Sequence, residues 1–454
     1  MDKEDQQLSR SLKSRHIQMI AIGGAIGTGL FLGSGTAIRE AGPSIILAYF
    51  IAGSFCFFLM RSIGELLLSD TNLHSFIDFI KRYLGNRFEF VTGWTYWFCW
   101  ITIAMADLTA SGIYMRFWFP HFPQWATPLI IILLLMMVNL ADVGLFGEME
   151  SWFAMIKVVA ILAMIAGGLY LVMIGYKTPT STASFKNLVA HGGFFPTGVT
   201  GFLNAFQMVI FAFVGIEMVG LTAGETEDPE KNLPKAINNL PIRIGLFYIG
   251  SMVITMAIYP WNKLMANQSP FVQVFSDIGI QSAAAIINFV VLTAAMSACN
   301  SAIFSTSRTL RSLAVGGNAP RFFAKLNKRH VPNNALQFSS LVLFVVVILN
   351  YLIPKGVFNL VSGVATMNFI FVWSVLIIAH LAYRKRLLEK HEQPASFTMP
   401  FFPYSNYLTL TFFFGVLIVL LFEKNTRVSI MISAAWFVIM FAVFEFYQKH
   451  KQLN

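Results

Sequence analysis

The chain has 454 residues, of which 56% are hydrophobic and 12% are charged, and its mean hydropathy is +0.65. Because soluble proteins carry about 25% charged residues, this composition excludes an ordinary soluble domain. Apolar runs long enough to cross a bilayer, roughly 18 residues or more, recur along the whole chain. The sequence therefore predicts an all-α polytopic membrane protein, and the lack of short alternating segments excludes a β-barrel.

Twelve spans are predicted, and the net charge of +10 agrees with their orientation. Most of the 32 Lys and Arg fall on segments that a cytoplasmic N-terminus places inside, which is the positive-inside pattern. The excess positive charge is therefore explained by the orientation of the spans in the membrane, and no nucleic acid or other acidic partner is needed to explain it. The spans lie near residues 17–36, 44–68, 90–117, 127–145, 152–175, 199–221, 241–259, 280–309, 336–353, 357–383, 405–422 and 427–447.

Several kinds of chemistry are missing from the sequence. Cys56, Cys99 and Cys299 all fall within predicted spans, so they are interpreted as small buried residues and not as disulfides or metal ligands. There is no phosphate-binding loop, and no Ser or Cys nucleophile is paired with a plausible base. The sequence therefore predicts neither an enzyme nor an ATP-driven pump, and no metal site.

The first span contains five glycines within residues 23–33. Glycine destabilises a helix, and irregular backbone at membrane depth persists only where protein buries it or where it lines a cavity. Close helix packing is the alternative, because small residues also mark helix interfaces. The cluster favours a broken helix whose free N–H groups and positive dipole end could bind an anion such as a carboxylate.

Span three begins with an aromatic stretch that includes Trp94, Trp97 and Trp100 and later reaches Asp107. The aromatics suit a membrane-interface belt first and a ligand cage second. Asp107 lies too deep to reach water easily, and intramembrane carboxylates usually face a partner or a cavity. A structural hydrogen bond to a neighbouring helix and a functional role remain equally open for it.

Lys157 lies about two turns inside span five. Its long stem could let the ammonium snorkel to the inner interface, or the ammonium could replace a bound cation and titrate during transport. Glu65, at the inner end of span two, is open to two interpretations as well. It could be a gate residue or a solvated charge at the interface.

Span six is interrupted by glycine near Glu217, five spans after the first interruption. Interrupted segments at matching places in two halves point to a transporter site. The predicted organisation is a cytoplasmic tail (1–16), two inverted repeats (17–175 and 199–383), two appended spans (405–447) and a second cytoplasmic tail (448–454). In span eight, Ser297 and Ser301 belong to a polar cluster that suits helix–helix hydrogen bonds or, less often, substrate contact. The proline-containing loop 225–234 is interpreted as a polar connector, with a gate at the cytoplasmic exit as the alternative.

Several motifs together resemble the signature of bacterial amino acid permeases, in the amino acid transporter branch of the amino acid–polyamine–organocation superfamily. The resemblance covers essentially the whole chain. Its motifs are residues 15–31 (RHIQMIAIGGAIGTGLF), 41–44 (AGPS), 64–66 (GEL), 93–94 (GW), 211–217 (FAFVGIE) and 227–231 (EDPEK). Residues 98–107, 146–157 and 286–293 look most like the subgroup that transports glycine, D-alanine and D-serine. Asp107 stands where many relatives for larger substrates carry Glu.

The resemblance implies a fold like that of the sodium-coupled leucine transporter, with a proton gradient in place of sodium and no bound cofactor. It implies proton-coupled symport of a small zwitterionic amino acid across the bacterial cytoplasmic (inner) membrane. Lys157 matches a lysine that occupies a sodium-site position in related proton-coupled permeases, and Asp107 and Glu217 join it as proton-coupling candidates. The candidate substrate-binding residues are Ile26, Gly27, Thr28, Gly29, Phe211, Ala212, Val214, Gly215, Ser297 and Ser301.

Overall fold

The computed structural model describes residues 26–70, 73, 75–141, 143–218, 228–327, 330–394 and 396–453. Within these ranges the chain is helical, and the β-type pairing is limited to an isolated bridge between Lys177 and Thr182. Nine helices of this described part are long and apolar enough to cross a membrane. The tail 1–16, the first glycines of span one and residues 225–227 of the loop lie outside the described residues. The all-helical class is confirmed, whereas twelve crossings and the inverted repeats stay predictions.

The helices are α1 (Ser34–Ala41), α2 (Ile45–Ser69), α3 (Phe76–Leu84), α4 (Asn86–Met115), α5 (Ala126–Ala141), α6 (Val143–Met173), α7 (Asn187–Ala190), α8 (Gly198–Asn204), α9 (Phe206–Phe213), α10 (Pro229–Asn238), α11 (Leu240–Arg243), α12 (Ser251–Ile258), α13 (Pro270–Asp277), α14 (Gln281–Val315), α15 (Asn333–Leu352), α16 (Val357–Lys390), α17 (Tyr404–Phe422) and α18 (Arg427–Leu453). Wide π-type turns at Gly29–Gly33 and Ile244–Gly250 lead into α1 and α12. Several helices, such as α14 and α16, continue beyond the predicted spans, because hydropathy marks the apolar stretch and not the end of the helix.

Helix α4 forms the centre of the molecule and packs most extensively against α14 and α16. Its most apolar stretch is 83% buried, compared with 22% for the equivalent stretch of α18. The three cysteines are free and buried in this packing. Polar residues carried by α4 are therefore held away from solvent and lipid by neighbouring helices.

Helix α3 is a short amphipathic helix between the helices of spans two and three. Ser75 starts it with a capping box: its hydroxyl accepts from the Ile77 amide (3.2 Å), and its own amide donates to Asp78 Oδ2 (3.1 Å). Phe76 and Phe79 face the core, while the basic residues of the last turn are exposed. This pattern suits a helix that lies along the inner face, and the sequence prediction had not separated it from the surrounding loop.

Glu65 is fully buried in α2, so the interpretation as a solvated interfacial charge is wrong. Its carboxylate accepts from the Met399 amide (2.6 Å) and lies 2.6 Å from Arg384 Nε and 3.0 Å from His380 Nε2. Arg61, one turn earlier, donates to the carbonyl of Thr398. These contacts attach the segment between α16 and α17 to α2, and a buried carboxylate needs such partners to offset its lost hydration.

Candidate functional site

The glycine-containing segments of spans one and six meet in the structure. A Cβ added to Gly29 would lie 2.6 Å from the Cα of Ala212 and 3.1 Å from the carbonyl oxygen of Phe211. Those are backbone atoms, which cannot rotate away, so the contact requires a residue without a side chain. Gly29 therefore brings the backbone of span one directly against that of α9.

On the span-one side, helical backbone begins at Thr28 and continues through the π-type turn into α1. The first bonds of this turn run from the amides of Leu30 and Phe31 to the carbonyl of Gly27, each 3.2 Å long. Thr28 and Gly29 thus lie at the N-terminus of a half-helix. At such a terminus the first amide groups have no hydrogen-bond partner within the helix. The positive end of the helix dipole lies at the same place.

On the span-six side, α9 ends at Phe213, and the chain becomes extended at Val214 before Gly215 adopts a φ of +97°. Side chains satisfy part of the interrupted backbone: Tyr248 donates to the carbonyl of Ala212 (2.9 Å), and the Gly215 amide donates to Glu217 Oε2 (3.2 Å). A carbonyl has a second lone pair, so this turn can still accept from an ammonium group.

A cavity of about 40 Å³ lies between the two interruptions. A volume of this size is suited to a few water molecules, so a substrate would need its walls to move. Its lining comes from both interruptions and from α4, α6 and α14. The lining residues are Gly27, Thr28, Gly29, Trp100, Ile103, Asp107, Glu150, Phe211, Ala212, Val214, Gly215, Met218, Ala298 and Ser301.

Asp107 links α4 to the span-one half-helix. Its Oδ1 accepts a 2.6 Å hydrogen bond from the hydroxyl of Thr28, and both residues are buried. Its Oδ2 has no hydrogen-bond partner within the described residues, although Asp107 borders the cavity. A buried acceptor without a partner is costly, so this oxygen is available to a proton or to a donor on a ligand. The structural and functional interpretations of Asp107 are thus compatible.

Lys157 does not snorkel to the inner surface; it is 1% exposed. Its Nζ donates to the hydroxyl of Ser297 (3.0 Å), and that hydroxyl lies 2.9 Å from both carboxylate oxygens of Glu150. Because a hydroxyl has one proton, it can donate to one of these oxygens at a time while it accepts from the ammonium. Ser297 therefore bridges an ammonium and a carboxylate that are both buried.

Glu217 is buried just beyond the span-six interruption, among neutral donors. Besides the Gly215 amide, the hydroxyl of Tyr96 (3.4 Å) and the indole of Trp373 (3.3 Å) donate to its carboxylate. No Lys or Arg within the described residues forms an ion pair with it. Long, neutral hydrogen bonds compensate a buried charge less fully than a cation does, so this carboxyl is suited to carry a proton.

Most of the predicted binding residues come together, but not all of them. Eight line the cavity, whereas Ile26 is packed in the apolar core and Ser297 lies in the Lys157 bridge. Neither Lys157 nor Glu217 lines the cavity, although each is buried. The described residues include no group of three His, Cys, Asp or Glu that could hold a metal ion.

Glu150 is absent from the residues predicted from the sequence, and the interpretation of the span-three aromatics as an interface belt is wrong for Trp97 and Trp100. Glu150 precedes Lys157 by seven residues, or two helical turns, so the two side chains share a face of α6, and this spacing could have revealed the pair. Trp97 and Trp100 are 5% and 3% exposed, which is inconsistent with a belt at the membrane interface. Trp100 instead lines the cavity.

Comparisons with known proteins agree with this architecture. The sequence profile of the amino acid permease family matches residues 16–454. An amino-acid permease of Bacillus subtilis is 56% identical over 443 residues, which cover 97% of this chain and 96% of the relative. A D-serine/D-alanine/glycine transporter of Escherichia coli K12 is 48% identical over 437 residues (96% and 93%). An aromatic amino acid transport protein of Escherichia coli O6:H1 is 41% identical over 437 residues (96% and 95%).

Proposed function

This chain belongs to the amino acid permease family, and we propose that it is a proton-coupled symporter for small neutral amino acids. The proposed substrates are glycine, D-alanine, D-serine and L-alanine, taken up across the bacterial cytoplasmic membrane with both termini inside. The contact between the two interruptions, at Gly29 and Ala212, carries this proposal. Broken helices that meet near the middle of a membrane protein are the typical binding site of such transporters.

A zwitterion matches the polarity of the two interruptions. Its carboxylate would bind at the N-terminus of the half-helix that begins at Thr28, where amides and the helix dipole favour an anion. Its ammonium would face the carbonyl groups around Val214. Opposite charges are thereby placed on opposite walls, and a neutral amino acid supplies both of them at short separation.

The size of the cavity favours a substrate with a small side chain. Trp100, Ile103, Phe211 and Met218 surround a volume of about 40 Å³, so each added carbon requires these side chains to move. Such size selection is worth about 1–3 kcal/mol per methylene. The similarity to the Escherichia coli protein described as a D-serine/D-alanine/glycine transporter supports the same choice of substrates for this chain. The relative for aromatic amino acids is less similar to this chain.

Proton coupling is assigned to three buried groups, Lys157, Asp107 and Glu217. In this proposal Lys157 takes the place of a bound cation and changes its protonation while the inner gate opens. The Ser297 bridge supports this role, because it connects the ammonium to Glu150 on the cavity wall. Asp107 and Glu217 hold a proton on either side of the substrate.

The test is uptake of radiolabelled glycine into proteoliposomes under an inward proton gradient. Wild type, Lys157→Ala and the matched control Lys186→Ala, at an exposed lysine outside the site, are compared. We expect concentrative uptake by wild type and control, competition by D-alanine and D-serine, and collapse with an uncoupler. Lys157→Ala should lose concentrative uptake but keep counterflow of labelled glycine.

Other outcomes identify other functions. Uptake that survives the uncoupler and requires internal amino acid indicates an exchanger. Uptake of serine, threonine or another neutral amino acid in place of glycine corrects the substrate alone. Binding without flux indicates a membrane sensor, and concentrative uptake by Lys157→Ala removes that lysine as the coupling residue.

A further inference from the structure

A second and much larger cavity, of about 480 Å³, lies at the face of the molecule that the topology predicts to be external. It lies where the C-terminal end of α4, the segment before α13 and the turn between α15 and α16 come together. Its rim residues Arg116 and Lys355 are exposed, so the cavity opens at the surface. We call it the outer cleft. None of its lining residues belongs to the lining of the central cavity.

Two buried hydroxyl groups line the outer cleft without a hydrogen-bond partner. Tyr114 is 2% exposed and Ser269 is 3% exposed, and neither hydroxyl has a partner within the described residues. A buried hydroxyl left unpaired costs about 1–3 kcal/mol. Two of them in one cleft indicate a place where a polar ligand supplies the missing hydrogen bonds.

The charges that line the same cleft favour an anion as the ligand. Arg116 and Lys355 both line the outer cleft, and neither forms an ion pair with a described carboxylate. Ser269 is also the N-cap of α13, yet its side chain makes no capping bond. The positive dipole end of this helix therefore adds to the two cations, and a hydroxyl is free to donate to an acceptor held there.

The outer cleft lies directly above the central site. Phe358 lines the outer cleft and Phe211 lines the central cavity, and their rings are in edge-to-face contact with centroids 5.9 Å apart. Tyr114 is seven residues beyond Asp107 on α4, so the two side chains lie on one face, two turns apart. A ligand released from the cleft would meet the central cavity once this aromatic pair separates.

We infer that the outer cleft is a docking site for the carboxylate of the incoming amino acid, held by Arg116, Lys355 and the hydroxyls of Tyr114 and Ser269. This inference rests on the proposed function for the identity of the ligand, but the carboxylate binding itself can be measured without transport. The site raises the local concentration of zwitterion beside the aromatic pair. Its two exposed cations attract the carboxylate end of the zwitterion, and its lining contains no acidic residue that would repel that end.

The test uses a reporter cysteine, because the three native cysteines are buried. Gln268→Cys places a thiol on the exposed rim of the outer cleft and leaves Ser269 intact, and Asn267→Cys is a second reporter if the first is poorly expressed. Ser181→Cys, in another loop on the same predicted face, is the matched control. Each variant in proteoliposomes is labelled with a sulfonate-bearing and an ammonium-bearing methanethiosulfonate.

At the reporter we expect the sulfonate reagent to react about fivefold faster than the ammonium reagent, after each rate is normalised to the rate at the control. Two partly screened cations supply a preference of this size. Glycine and acetate should slow the labelling, whereas glycinamide, which has no carboxylate, should not. Arg116→Gln with Lys355→Gln should abolish both the preference and the protection. Ser269→Ala should weaken the protection and leave the charge preference in place.

Four results would overturn the inference: no labelling of either reporter, labelling without charge preference, no protection by glycine and acetate, or equal protection by chloride at the same ionic strength. The proposed function is judged separately. If acetate and glycine protect but glycine is not transported, the docking site stands and the substrate is wrong. If glycine is transported and nothing protects the reporter, the docking site alone is refuted.

Discussion

The contact between the two interruptions leads to a specific prediction for Gly29→Ala. The added methyl carbon would lie 2.6 Å from the Cα of Ala212, 0.8 Å short of the 3.4 Å at which ordinary contact begins. Overpacking of this kind costs about 1–3 kcal/mol. Because the opposing atoms are backbone, relief requires α9 and the span-one half-helix to move apart. That movement would disturb the bond from Tyr248 to Ala212 and the geometry of the substrate site.

We expect Gly29→Ala to lower the midpoint of thermal unfolding by several degrees and to reduce amino acid uptake by at least about tenfold, which corresponds to 1.4 kcal/mol. The matched control is Gly167→Ala, because a Cβ at that helical glycine meets nothing within 4 Å. This control should be as stable as wild type or more stable by up to about 1 kcal/mol. Unfolding followed by fluorescence-detected size exclusion, together with proteoliposome uptake, measures both effects.

A second comparison separates crowding between the helices from crowding of the cavity. A Cβ on Gly27 would meet only the Cβ of Ala298, at 3.9 Å, although Gly27 lines the same cavity. Gly27→Ala should therefore keep its stability and change only substrate affinity. If Gly29→Ala were as stable and as active as wild type, the close approach of the two interruptions would be refuted as a requirement of the fold.

Three further predictions concern buried polar groups. Glu150→Gln removes the carboxylate that Ser297 bridges to the buried lysine, so concentrative uptake should be lost while counterflow persists; normal accumulation in this variant would exclude Glu150 from coupling. Thr28→Val leaves Asp107 Oδ1 without its donor and should cost about 1–3 kcal/mol of stability, whereas Thr28→Ser should restore it; equal unfolding midpoints for the two variants would contradict this. Glu65→Ala leaves the guanidinium of Arg384 without its buried counter-charge and should destabilise the protein by about 3–5 kcal/mol. A midpoint of thermal unfolding equal to that of wild type would contradict this prediction.

Much of the architecture was predictable from the sequence, because it depends on local properties. Apolar length identifies the helices, since the bilayer requires each crossing segment to satisfy its own backbone. The orientation that the basic residues indicate stays a prediction. Gly27 and Gly29 mark the place where the described helix of span one begins, and Gly215 marks the interruption in span six. The depth of Asp107 and Lys157 within their spans was enough to make both of them candidates.

What the tertiary structure decided is which of these residues meet. Thr28 and Asp107 are 79 residues apart, and Glu150 and Ser297 are 147 apart, yet each pair is joined by a hydrogen bond. Periodicity within one helix defines which residues share a face, but not which neighbouring helix covers that face. Helix packing therefore buried Trp100 against the cavity and brought eight of the ten predicted binding residues to its lining.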